Sequence, residues 1–570
     1  MKKHWHILPY DPAVAASLMQ AEGFSATIAR IMAARGFSDQ QVVKSFLSPA
    51  LADMADPTVM ADMDKATERL LQAAQNQEKI CVYGDYDVDG ITATAMLVEA
   101  FTEMGIKADY HIPNRLDDGY GLVVTVLQQI IDNGYRLIVS VDCGITSLQE
   151  ATFCCQQGVD LIITDHHLPP EELPVATAVI NPLRADCPYP FKGLAGVGVA
   201  FNLLVALRKK MRKHGLLADN QPDLRRFLDL VALGTIADMV PLTGQNRLLV
   251  AAGLKRMADD CRTGIAALKK VAGISGTVSS GQVGFRLAPR LNAVGRLESA
   301  LPGVELLLSR DMNKALTLAQ ELDAANTERQ QVERRILEEA KALFELQAKD
   351  KQPDGVVLSS PFWHQGVVGI VASRLTELYH KPVILLAERD DDTLTGSGRG
   401  ISGFHLLDAL HNCARHLLRY GGHRAAAGLT LHKNELPAFT AAFEKAATAQ
   451  FAENDFTPIL KIDSEITTAE LSISLVKELS NLAPFGVGNP EPTLLIRNLQ
   501  VLEARTIGNG HLKMRLQQNK TVYPAIGWQM AGQQITKHID IAAIPEVDSW
   551  GGGERLQLRL KGIRESLSDL

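Results

Sequence analysis

The sequence predicts an α/β protein with a parallel-sheet domain, a second and smaller α/β domain joined to it by a long helix, and a C-terminal β-domain. From about residue 79, short apolar runs alternate with amphipathic stretches at the spacing of βαβ units. Neither glycine nor proline occurs between Gly303 and Pro353, which predicts the long helix. Alternating apolar and polar residues at 511–516 and 555–563 predict the antiparallel β-domain.

The first domain is predicted element by element from this alternation. Strands are expected at 79–83, 108–112, 136–141, 160–164 and 178–180, and helices at 91–105, 121–133 and 146–157. A parallel sheet with helices on both faces binds its ligands beyond the carboxyl ends of the strands. A second α/β segment follows at 354–450, with strands at 355–360 and 382–387.

The long helix indicates how the domains are connected. A helix of about 30–40 residues spans about 45–60 Å, which is too long for the interior of a compact domain. It therefore bridges two domains. A coiled coil is the alternative, and the lack of sustained a/d apolar heptads disfavours it.

The 570-residue chain has an ordinary globular composition, with 46% hydrophobic and 22% charged residues, which excludes a disordered or fibrous protein. The formal net charge of −7 gives no overall signature of nucleic-acid binding. Residues 81–170 hold 13 acidic and 3 basic side chains, which leaves +3 for the rest of the chain. This local excess is either a solvated acidic face or a place that binds cations.

Cysteine usage and the termini indicate the compartment. The seven cysteines include no Cys-x-x-Cys pair, which disfavours a disulfide framework or a structural zinc site and indicates a reducing environment. The N-terminus leads into no apolar segment of a signal peptide, and no apolar run approaches the roughly 18–20 residues of a membrane helix. We therefore expect a soluble cytoplasmic protein without membrane association.

Three carboxylates follow the first predicted strand, in the sequence YGDYDVDG. Asp85, Asp87 and Asp89 occupy alternate positions and would repel one another strongly unless a cation neutralised them. An EF-hand calcium loop also begins D-x-D-x-D-G. However, its position 12 would be Met96 where calcium requires Glu, and EF-hands join two helices. Another divalent cation is the better explanation.

Acidic residues and histidines also follow two other strands of the same predicted sheet. Asp142 follows the third strand, and the run Asp-His-His at 165–167 follows the fourth. A lone histidine is usually an ordinary core or surface residue. Two histidines after an aspartate, at an edge that already holds four carboxylates, favour metal ligation. Asp238 lies among apolar residues, so it is either a further ligand or the cap of a helix.

The residue types predict the metal and the chemistry. Carboxylates and imidazoles without a thiolate are typical of Mg²⁺ or Mn²⁺ sites, and the histidine favours Mn²⁺. Five or six ligands suffice for two ions about 3.5–4 Å apart that share one carboxylate. Such a pair activates water and stabilises a leaving oxygen, so the residues by themselves indicate metal-assisted phosphoester hydrolysis.

The four motifs DYDVDG, VDCG, DHH and GTIAD resemble the metal-site motifs of the DHH phosphoesterase superfamily. Motifs over nearly the whole chain further resemble the RecJ family within it, the bacterial single-stranded-DNA-specific 5′→3′ exonucleases. They lie at 112–115, 119–121, 289–296, 396–399, 421–423, 426–428 and 485–492. Asp118 and Gly400 stand where Glu and Ser are common in the family, and neither is among the metal ligands.

The resemblance implies a pair of Mn²⁺ or Mg²⁺ ions and assigns their ligands. One ion is held by Asp87 and Asp142. The other is held by Asp89, Asp142, His166 and Asp238, so that Asp142 bridges the two.

The resemblance also implies roles for the remaining residues of the centre. Asp85 either binds a metal or supports a ligand, His167 faces the scissile phosphate, and Asp165 orients a histidine. The implied catalytic residues are Asp142, Asp165, His166 and His167.

Substrate binding is assigned to residues outside the metal centre. The resemblance implies Arg115, Arg290, Asn292, Arg296, Ser397, Arg399, Gly422 and His423. We interpret 396–399 and 421–424 as glycine-rich turns whose donors suit phosphate, although such a turn taken alone is more often only a loop. The C-terminal β-domain resembles an OB-fold, which binds single strands on a basic groove with aromatic platforms. Core packing explains equally well any one of its aromatic residues, Phe485, Tyr523, Trp528 and Trp550.

The resemblance completes a prediction of four parts. They are a DHH catalytic α/β domain with an N-terminal extension at 1–310, a connecting helix at 311–352, a DHHA1-like substrate-binding α/β domain at 353–450, and an OB-like nucleic-acid-binding domain at 455–570. The implied function is metal-dependent degradation of single-stranded DNA from the 5′ end to mononucleotides, in recombination and DNA repair. The expected state is a monomer, with a single-strand-binding protein and a helicase as candidate partners.

Two alternatives were weighed against this function. A DHH phosphodiesterase of short oligonucleotides is disfavoured by the chain length and the third domain, because a small substrate needs no long channel. A catalytically inactive RecJ-like replication scaffold would be free to lose metal ligands, whereas every expected carboxylate and histidine is present.

Overall fold

The structure is a computed structural model. It describes residues 3–114, 121–218, 221–297, 299–349, 352–389, 391–508, 510–548 and 553–566. At residues 21, 22, 296 and 297 it describes the main chain only. Within these ranges, none of the helices combines the length and the apolar character that crossing a bilayer would require.

A short N-terminal region precedes the first α/β domain. Its elements are β1 (His4–Ile7), α1 (Pro12–Glu22), α2 (Ala26–Ala34) and α3 (Gln40–Leu47). Asp11, Ser25 and Asp39 cap the three helices by accepting hydrogen bonds from their first main-chain amides. The helices pack on the C-terminal domain through a shared apolar core, and β1 pairs with a C-terminal strand.

A five-stranded parallel sheet forms the centre of the first α/β domain. Its elements are α4 (Met63–Asn76), β2 (Lys79–Tyr83), α5 (Val88–Glu103), β3 (Lys107–His111), α6 (Val124–Asp132), β4 (Leu137–Val141), α7 (Leu148–Gln156), β5 (Asp160–Thr164) and β6 (Ala178–Ile180). The strand order is β3-β2-β4-β5-β6. Alternate residues of β2 belong to the two different cores on the faces of the sheet, as a doubly covered sheet requires. Every strand predicted here is confirmed.

Helices complete the first domain on one side of this sheet. They are α8 (Gly196–Lys213), α9 (Leu228–Ala237), α10 (Gly244–Asp259), α11 (Thr263–Val271), α12 (Ser280–Gln282), a π-helical turn (Val283–Leu287), α13 (Ala288–Leu297) and α14 (Leu301–Leu308). The helix α9 is buried over almost its whole length between α5, α8 and α10. It is apolar on all sides for that reason.

The predicted long helix is confirmed as α15 (Met312–Gln347), which has 36 residues. At 1.5 Å per residue it is about 54 Å long. Its first half packs on α11, α13 and α14 of the first domain, and its second half packs on the next domain. Apolar residues of one helix thus belong to two separate cores, which makes α15 a rigid connection.

The second α/β domain follows α15. Its elements are β7 (Val356–Ser360), α16 (Gln365–Tyr379), β8 (Val383–Glu388), β9 (Thr393–Arg399), α17 (Leu406–His411), β10 (Arg419–Gly422), β11 (Ala426–His432) and α18 (Leu436–Glu453). The sheet order is β10-β11-β9-β8-β7, and only β7 and β8 run parallel to each other.

The interpretation of segments 396–399 and 421–424 as turns is wrong for most of their length. Residues 396–399 form the end of β9, and Gly421 and Gly422 lie in β10. A Cβ atom at Gly396 would lie 2.1 Å from the main-chain oxygen of Leu385. Glycine is therefore required here by the close approach of the neighbouring strand and not by a reversal of the chain.

A closed β-barrel forms the C-terminal domain and confirms the predicted OB-like fold. The strand β12 (Ile459–Ile462) precedes the barrel and pairs with β1. The elements of the barrel domain are β13 (Ser464–Glu465), α19 (Ile473–Ser480), β14 (Leu494–Ile507), β15 (His511–Gln518), β16 (Thr521–Gly527), β17 (His538–Asp548) and β18 (Arg555–Glu565). The strand order is β13-β14-β15-β16-β18-β17, and pairing of β14 with β17 closes the barrel. Closure removes the exposed strand edges of an open sheet.

We expect the close crossing of α9 and α10 to tolerate no side chain at Gly253. A Cβ atom there would lie 2.1 Å from the main-chain oxygen of Leu228. Gly253→Ala should lower the free energy of unfolding by about 1–3 kcal/mol, measured by urea denaturation followed by circular dichroism. The control is Gly281→Ala, whose nearest heavy atom would be 3.9 Å away and which should leave stability equal or higher. Equal behaviour of the two variants would contradict the interpretation.

Candidate metal centre and strand-binding cleft

Carboxylate and imidazole side chains that follow three parallel strands meet at one edge of the first sheet. Asp85 follows β2, Asp142 follows β4 and His166 follows β5. Parallel strands bring their carboxyl ends to the same edge, so residues far apart in the sequence become neighbours. The site predicted from the motif positions is therefore a single cluster.

The loop after β2 is folded around its own carboxylates. Asp87 is the N-cap of α5, and its Oδ1 accepts hydrogen bonds from the amides of Asp89 (2.9 Å) and Gly90 (3.1 Å). Gly90 leaves no room for a side chain, because a Cβ atom would lie 2.5 Å from the main-chain oxygen of Asp85. The close turn keeps the three carboxylates of the loop together.

Main-chain amides at the start of α8 hold Asp89. Its carboxylate accepts hydrogen bonds from Gly196 N (2.6 Å) and Val197 N (2.9 Å). The first amides of a helix have no partner within the helix and carry partial positive charge. Neither residue was predicted from the sequence. The small-residue run GLAGVGVA at 193–200 permits the close packing, but it does not single out these amides as donors.

Asp142 has a strained main chain. Its φ of 64° is in the left-handed region, which non-glycine residues adopt at a cost of roughly 1–3 kcal/mol. The carboxylate is buried against Gly196, where a Cβ atom would lie 2.5 Å from Oδ1 of Asp142. The turn after β4 thus places the Asp142 carboxylate in the centre of the cluster.

The run 165–167 places its three side chains differently. Asp165 is buried and accepts hydrogen bonds from the main-chain amides of Ile145 (2.9 Å), His166 (2.7 Å) and His167 (3.0 Å). Its Oδ1 also lies 2.8 Å from Nδ1 of His167. Asp165 therefore orients the ring of His167.

His166 points into the carboxylate cluster. Its Nε2 atom lies 3.1 Å from Asp142 Oδ1, 3.6 Å from Asp238 Oδ2 and 3.8 Å from Asp89 Oδ2. This nitrogen is buried, and no hydrogen bond of acceptable geometry reaches it within the described part of the chain. Such a nitrogen among carboxylates is placed as a metal ligand would be.

From the sequence, Asp238 is either a further metal ligand or the cap of a helix, and its position is compatible with both. It is the C-cap of α9, and its carboxylate lies in the cluster. An acidic side chain at a helix C-terminus is unfavourable for the helix, because the last carbonyls carry partial negative charge. Its place there indicates a cation.

The donor atoms fit two divalent ions. Three groups of ligand atoms lie within 4.8 Å of one another: Asp85 with Asp87 and Asp142; Asp89 with His166 and Asp238; and Asp142 with His166 and His167. Asp142 and His166 each occur in two groups, so the groups overlap. Oxygen donors with imidazole nitrogen and without thiolate match Mn²⁺ and Mg²⁺.

Burial and mutual repulsion change the protonation of the cluster. Burial, followed by the charges of neighbouring carboxylates, raises the pKa of Asp89 to about 7 and that of Asp238 to about 9, and it raises the pKa of Asp142 well above its usual value. Burial lowers the pKa of His166 to about 4, so its imidazole is neutral, the form that binds metal.

His167 and Asp165 form a charged pair. Burial opposes the charge of both, but their hydrogen bond raises the pKa of His167 to about 9 and lowers the pKa of Asp165. His167 is therefore a cation near pH 7 at the mouth of an anionic cluster.

The predicted substrate residues on α13 lie beside the metal centre. Oδ1 of Asn292 accepts a hydrogen bond from the amide of Val88 (3.1 Å), so Asn292 supports the first turn of α5. Arg290 forms an ion pair with Asp323 of α15, 2.8 Å from Nε to Oδ1. The side chain of Arg296 and the whole of Arg115 lie outside the described residues.

The other predicted substrate residues belong to the second α/β domain. Ser397 and Arg399 are half-buried on β9 beside α16; a Cβ atom at Gly369 would lie 3.1 Å from Oγ of Ser397 and from Nη2 of Arg399. Because α13 contacts α16, these two residues lie on the side of their domain that adjoins the first domain. Gly422 and His423 are exposed at the end of β10.

Two exposed apolar side chains near Asp238 were not predicted. Met239, the next residue, is 69% exposed, and Phe285 on the π-helical turn is 86% exposed. Gly284 of that turn packs against Ile236 of α9. Exposed apolar side chains on or packed beside the element that carries Asp238 are available for contact with substrate.

The aromatic residues of the C-terminal domain divide between core and surface. Tyr523 is buried, with its hydroxyl donating to the main-chain oxygen of Thr468 (3.3 Å), and Phe485 packs against the same core. Trp528 is 55% exposed. Trp550 lies outside the described residues. Core packing thus accounts for two of the four candidates.

Comparison with protein families divides the chain in the same order as the fold. Residues 79–235 match the DHH family, N-terminal domain. Residues 353–449 match the DHHA1 domain, and residues 462–562 match the RecJ OB domain.

Two relatives resemble the chain over most of its length. The single-stranded-DNA-specific exonuclease RecJ of Bacillus subtilis is 36% identical over 568 residues, which cover 98% of this chain and 70% of the relative. The single-stranded-DNA-specific exonuclease RecJ of Haemophilus influenzae is 39% identical over 530 residues, which cover 90% of this chain and 92% of the relative.

Solved structures of RecJ from Thermus thermophilus have the same fold. The complex with Mn²⁺ matches with a TM-score of 0.85 at 32% identity, over 99% of this chain and 80% of the other. The complex with Mg²⁺ matches with a TM-score of 0.78 at 30% identity, over 99% and 79%.

We expect the stability of the metal-free protein to fall as the pH rises from 7 to 9. The folded state retains the proton of Asp238 up to a pH of about 9, whereas the unfolded chain loses it near 4. His167 contributes in the same direction, because its pKa is raised to about 9. The measurement is thermal unfolding in EDTA across this pH range. Asp238→Asn should reduce the loss, whereas the exposed Asp132→Asn should leave it unchanged; a loss unaffected by Asp238→Asn would refute this explanation.

Proposed function

This chain belongs to the RecJ family of single-stranded-DNA-specific exonucleases, and from that membership we propose that it hydrolyses DNA from the 5′ end with two metal ions. As a member of this family it is an exonuclease on single-stranded DNA, and its cofactor is Mn²⁺ or Mg²⁺. The observation that carries the proposal is the convergence of five carboxylates and His166 at one sheet edge in overlapping ligand groups.

The overlap supports two adjacent sites with a shared ligand. Asp87 and Asp142, with Asp85 beside them, form one site. Asp89, His166 and Asp238 form the other, and Asp142 lies 3.1 Å from Nε2 of His166, between the two groups. These groups support the division of ligands that the family resemblance implies, in which Asp142 bridges the two ions.

Bound at these ligands, the ions supply positive charge that activates water and stabilises the leaving oxygen. The residues of the chain supply the positions. The amides of Gly196 and Val197 hold Asp89, and Asp165 holds the ring of His167 through Nδ1. The imidazolium of His167 then stabilises negative charge that develops on the scissile phosphate.

Each turnover cleaves one phosphodiester. A water oxygen bonds to phosphorus, and the bond from phosphorus to O3′ of the terminal nucleotide breaks. The products are a 5′-mononucleotide and a shortened strand that again carries a 5′-phosphate. A site that recognises this group can therefore act in every cycle.

Ser397 and Arg399 are the described candidates for the recognition of the 5′-phosphate. A hydroxyl and a guanidinium beside α16 suit a dianionic terminal phosphate better than an internal phosphodiester with one charge. Arg115, outside the described residues, is proposed to join them from the first domain. Anchoring of the terminal phosphate would place the first linkage over the metals.

The path of the strand is proposed to run from the metal centre past exposed apolar and aromatic side chains. Met239 and Phe285 flank Asp238, and Trp528 offers an exposed ring on the C-terminal domain. Base stacking on such side chains is independent of sequence. Several further properties stay predictions from the family resemblance. They are roles in recombination and repair, a cytoplasmic location, a monomeric state, and a single-strand-binding protein and a helicase as partners.

We expect Asp142→Ala to abolish hydrolysis. Because Asp142 is shared by two ligand groups, its loss should lower the rate on end-labelled single-stranded DNA by at least about 1,000-fold in Mn²⁺ or Mg²⁺. Binding of the strand, measured by fluorescence anisotropy, should be largely retained. The matched control is Asp132→Ala, an exposed aspartate of the same domain, which should keep full activity. Near-normal turnover of Asp142→Ala would contradict the two-metal assignment.

The 5′-phosphate proposal is tested with single strands that carry either a 5′-phosphate or a 5′-hydroxyl. Wild type should prefer the phosphate, and Arg399→Ala should lose about 10- to 100-fold of that preference in kcat/KM, the value of a charge-assisted hydrogen bond. The double variant with Arg115→Ala should lose the remainder. Arg389→Ala, an exposed arginine just beyond the other end of the β8–β9 pair, is the control. If the double variant still preferred the 5′-phosphate, the terminal phosphate would be bound by other residues.

A further inference from the structure

The motif at 485–492 of the C-terminal domain contacts the turn that follows Asp238. The mechanism above assigns no role to this motif. This turn, residues 239–243, connects α9 to α10. The amide of Leu242 donates a hydrogen bond to the main-chain oxygen of Val487 (2.7 Å). Oγ of Ser280 donates to the main-chain oxygen of Phe485 (2.5 Å). The motif is thus joined to the metal-bearing domain by its main chain.

Two glycines of the motif allow this close approach. A Cβ atom at Gly486 would lie 2.7 Å from Cδ1 of Leu242, and one at Gly488 would lie 3.1 Å from Cβ of Pro241. The glycines therefore fit the shape of the turn.

A buried arginine fixes the same contact from the other side. The guanidinium of Arg247, on the first turn of α10, donates to the main-chain oxygens of Leu482 (3.0 Å), Ala483 (2.7 Å) and Phe46 (2.8 Å). Its carbon also lies 3.7 Å from the centre of the Phe46 ring. A buried cation held by carbonyl oxygens is stable only while those oxygens stay in place, because its desolvation is otherwise uncompensated.

The turn is connected to the metal centre through the chain at Asp238 and through Asn246. Asp238 directly precedes it, and Met239 has a φ of 62°. Nδ2 of Asn246 donates to the main-chain oxygen of Pro241 (3.0 Å) and to that of Gly193, three residues before the Gly196 amide that holds Asp89. The turn therefore lies between the metal centre and the C-terminal domain.

We propose that the C-terminal domain, through residues 482–488, positions Asp238 for metal binding. The ion site that contains Asp238 reaches full affinity only while this contact holds the turn. Gly486, Ser280 and Arg247 are positioning residues, because they act through the turn and touch neither metal nor substrate. The inference rests on the proposed two-metal centre and adds to it that two domains assemble the second site.

The experiment compares two glycines whose substitution crowds a leucine methyl group to the same degree. Gly486→Ala would bring Cβ to 2.7 Å from Leu242, and Gly562→Ala would bring it to 2.8 Å from Leu460. Both glycines belong to the C-terminal part of the chain, but Leu460 and its neighbour Trp5 lie in a separate apolar cluster. A merely structural effect on the C-terminal domain should therefore be similar in the two variants.

The readout is Mn²⁺ binding to the full-length protein without DNA, measured by equilibrium dialysis and electron paramagnetic resonance. Wild type should bind two ions. Gly486→Ala should bind one ion normally and the other about tenfold more weakly, with a larger loss for Gly486→Val. The Gly562 variants should bind both ions as wild type does, at melting temperatures similar to those of the Gly486 variants.

Ser280→Ala provides a second variant that adds no volume. It removes the hydrogen bond to Phe485 and should weaken the same ion in the same direction, so the inference stays testable if the Gly486 variants fold poorly. Binding of two ions by wild type with equal affinity in Gly486→Ala, Ser280→Ala and Gly562→Ala would overturn the inference. Binding of only one ion by wild type would instead overturn the two-metal proposal.

Discussion

The repulsion among five buried or half-buried carboxylates is the constraint on which the rest of the structure depends. They share one edge of the first sheet with His166, and burial makes each charge more costly. Part of that charge is compensated by main-chain amides at the starts of α5 and α8, where helix N-termini carry partial positive charge. The rest is relieved by protons in the metal-free protein, as the raised pKa values of Asp89, Asp142 and Asp238 indicate, and by divalent cations once these bind. The parallel sheet serves this purpose, because it brings the ends of several strands together.

Several residues of this site have conformations that lower the folding stability of the protein. Asp142 has a left-handed main chain, and Asp238 lies at the unfavourable end of a helix dipole. Gly196 and Gly234 admit no side chain, since a Cβ atom at either would lie within 2.8 Å of a ligand oxygen. The large apolar core around α5, α8 and α9 holds these strained elements in place. Local strain persists in proteins when the surrounding packing over-determines it.

The domains act as one catalytic unit because single elements belong to more than one of them. The helix α15 contributes apolar residues to two cores, and Arg290 joins α13 to it by an ion pair. Arg247 is bonded to the N-terminal region and to the C-terminal domain at once. The relative positions of the domains are thus fixed by buried contacts. Fixed spacing between two sites that bind one substrate removes the need to order them during the reaction.

The sequence by itself determined the strand–helix alternation, the long helix and the β-domain, which are carried by periodicity, and the cluster of Asp and His at one sheet edge, which is carried by rare motifs. It misplaced Gly396 and Gly421 into turns, since glycine marks both reversals and close strand contacts. It carried no signal that singled out the amides of Gly196 and Val197 as donors, or the role of Arg247. These depend on main-chain groups that every residue possesses, so only the tertiary structure decided which amide or carbonyl each charged side chain meets.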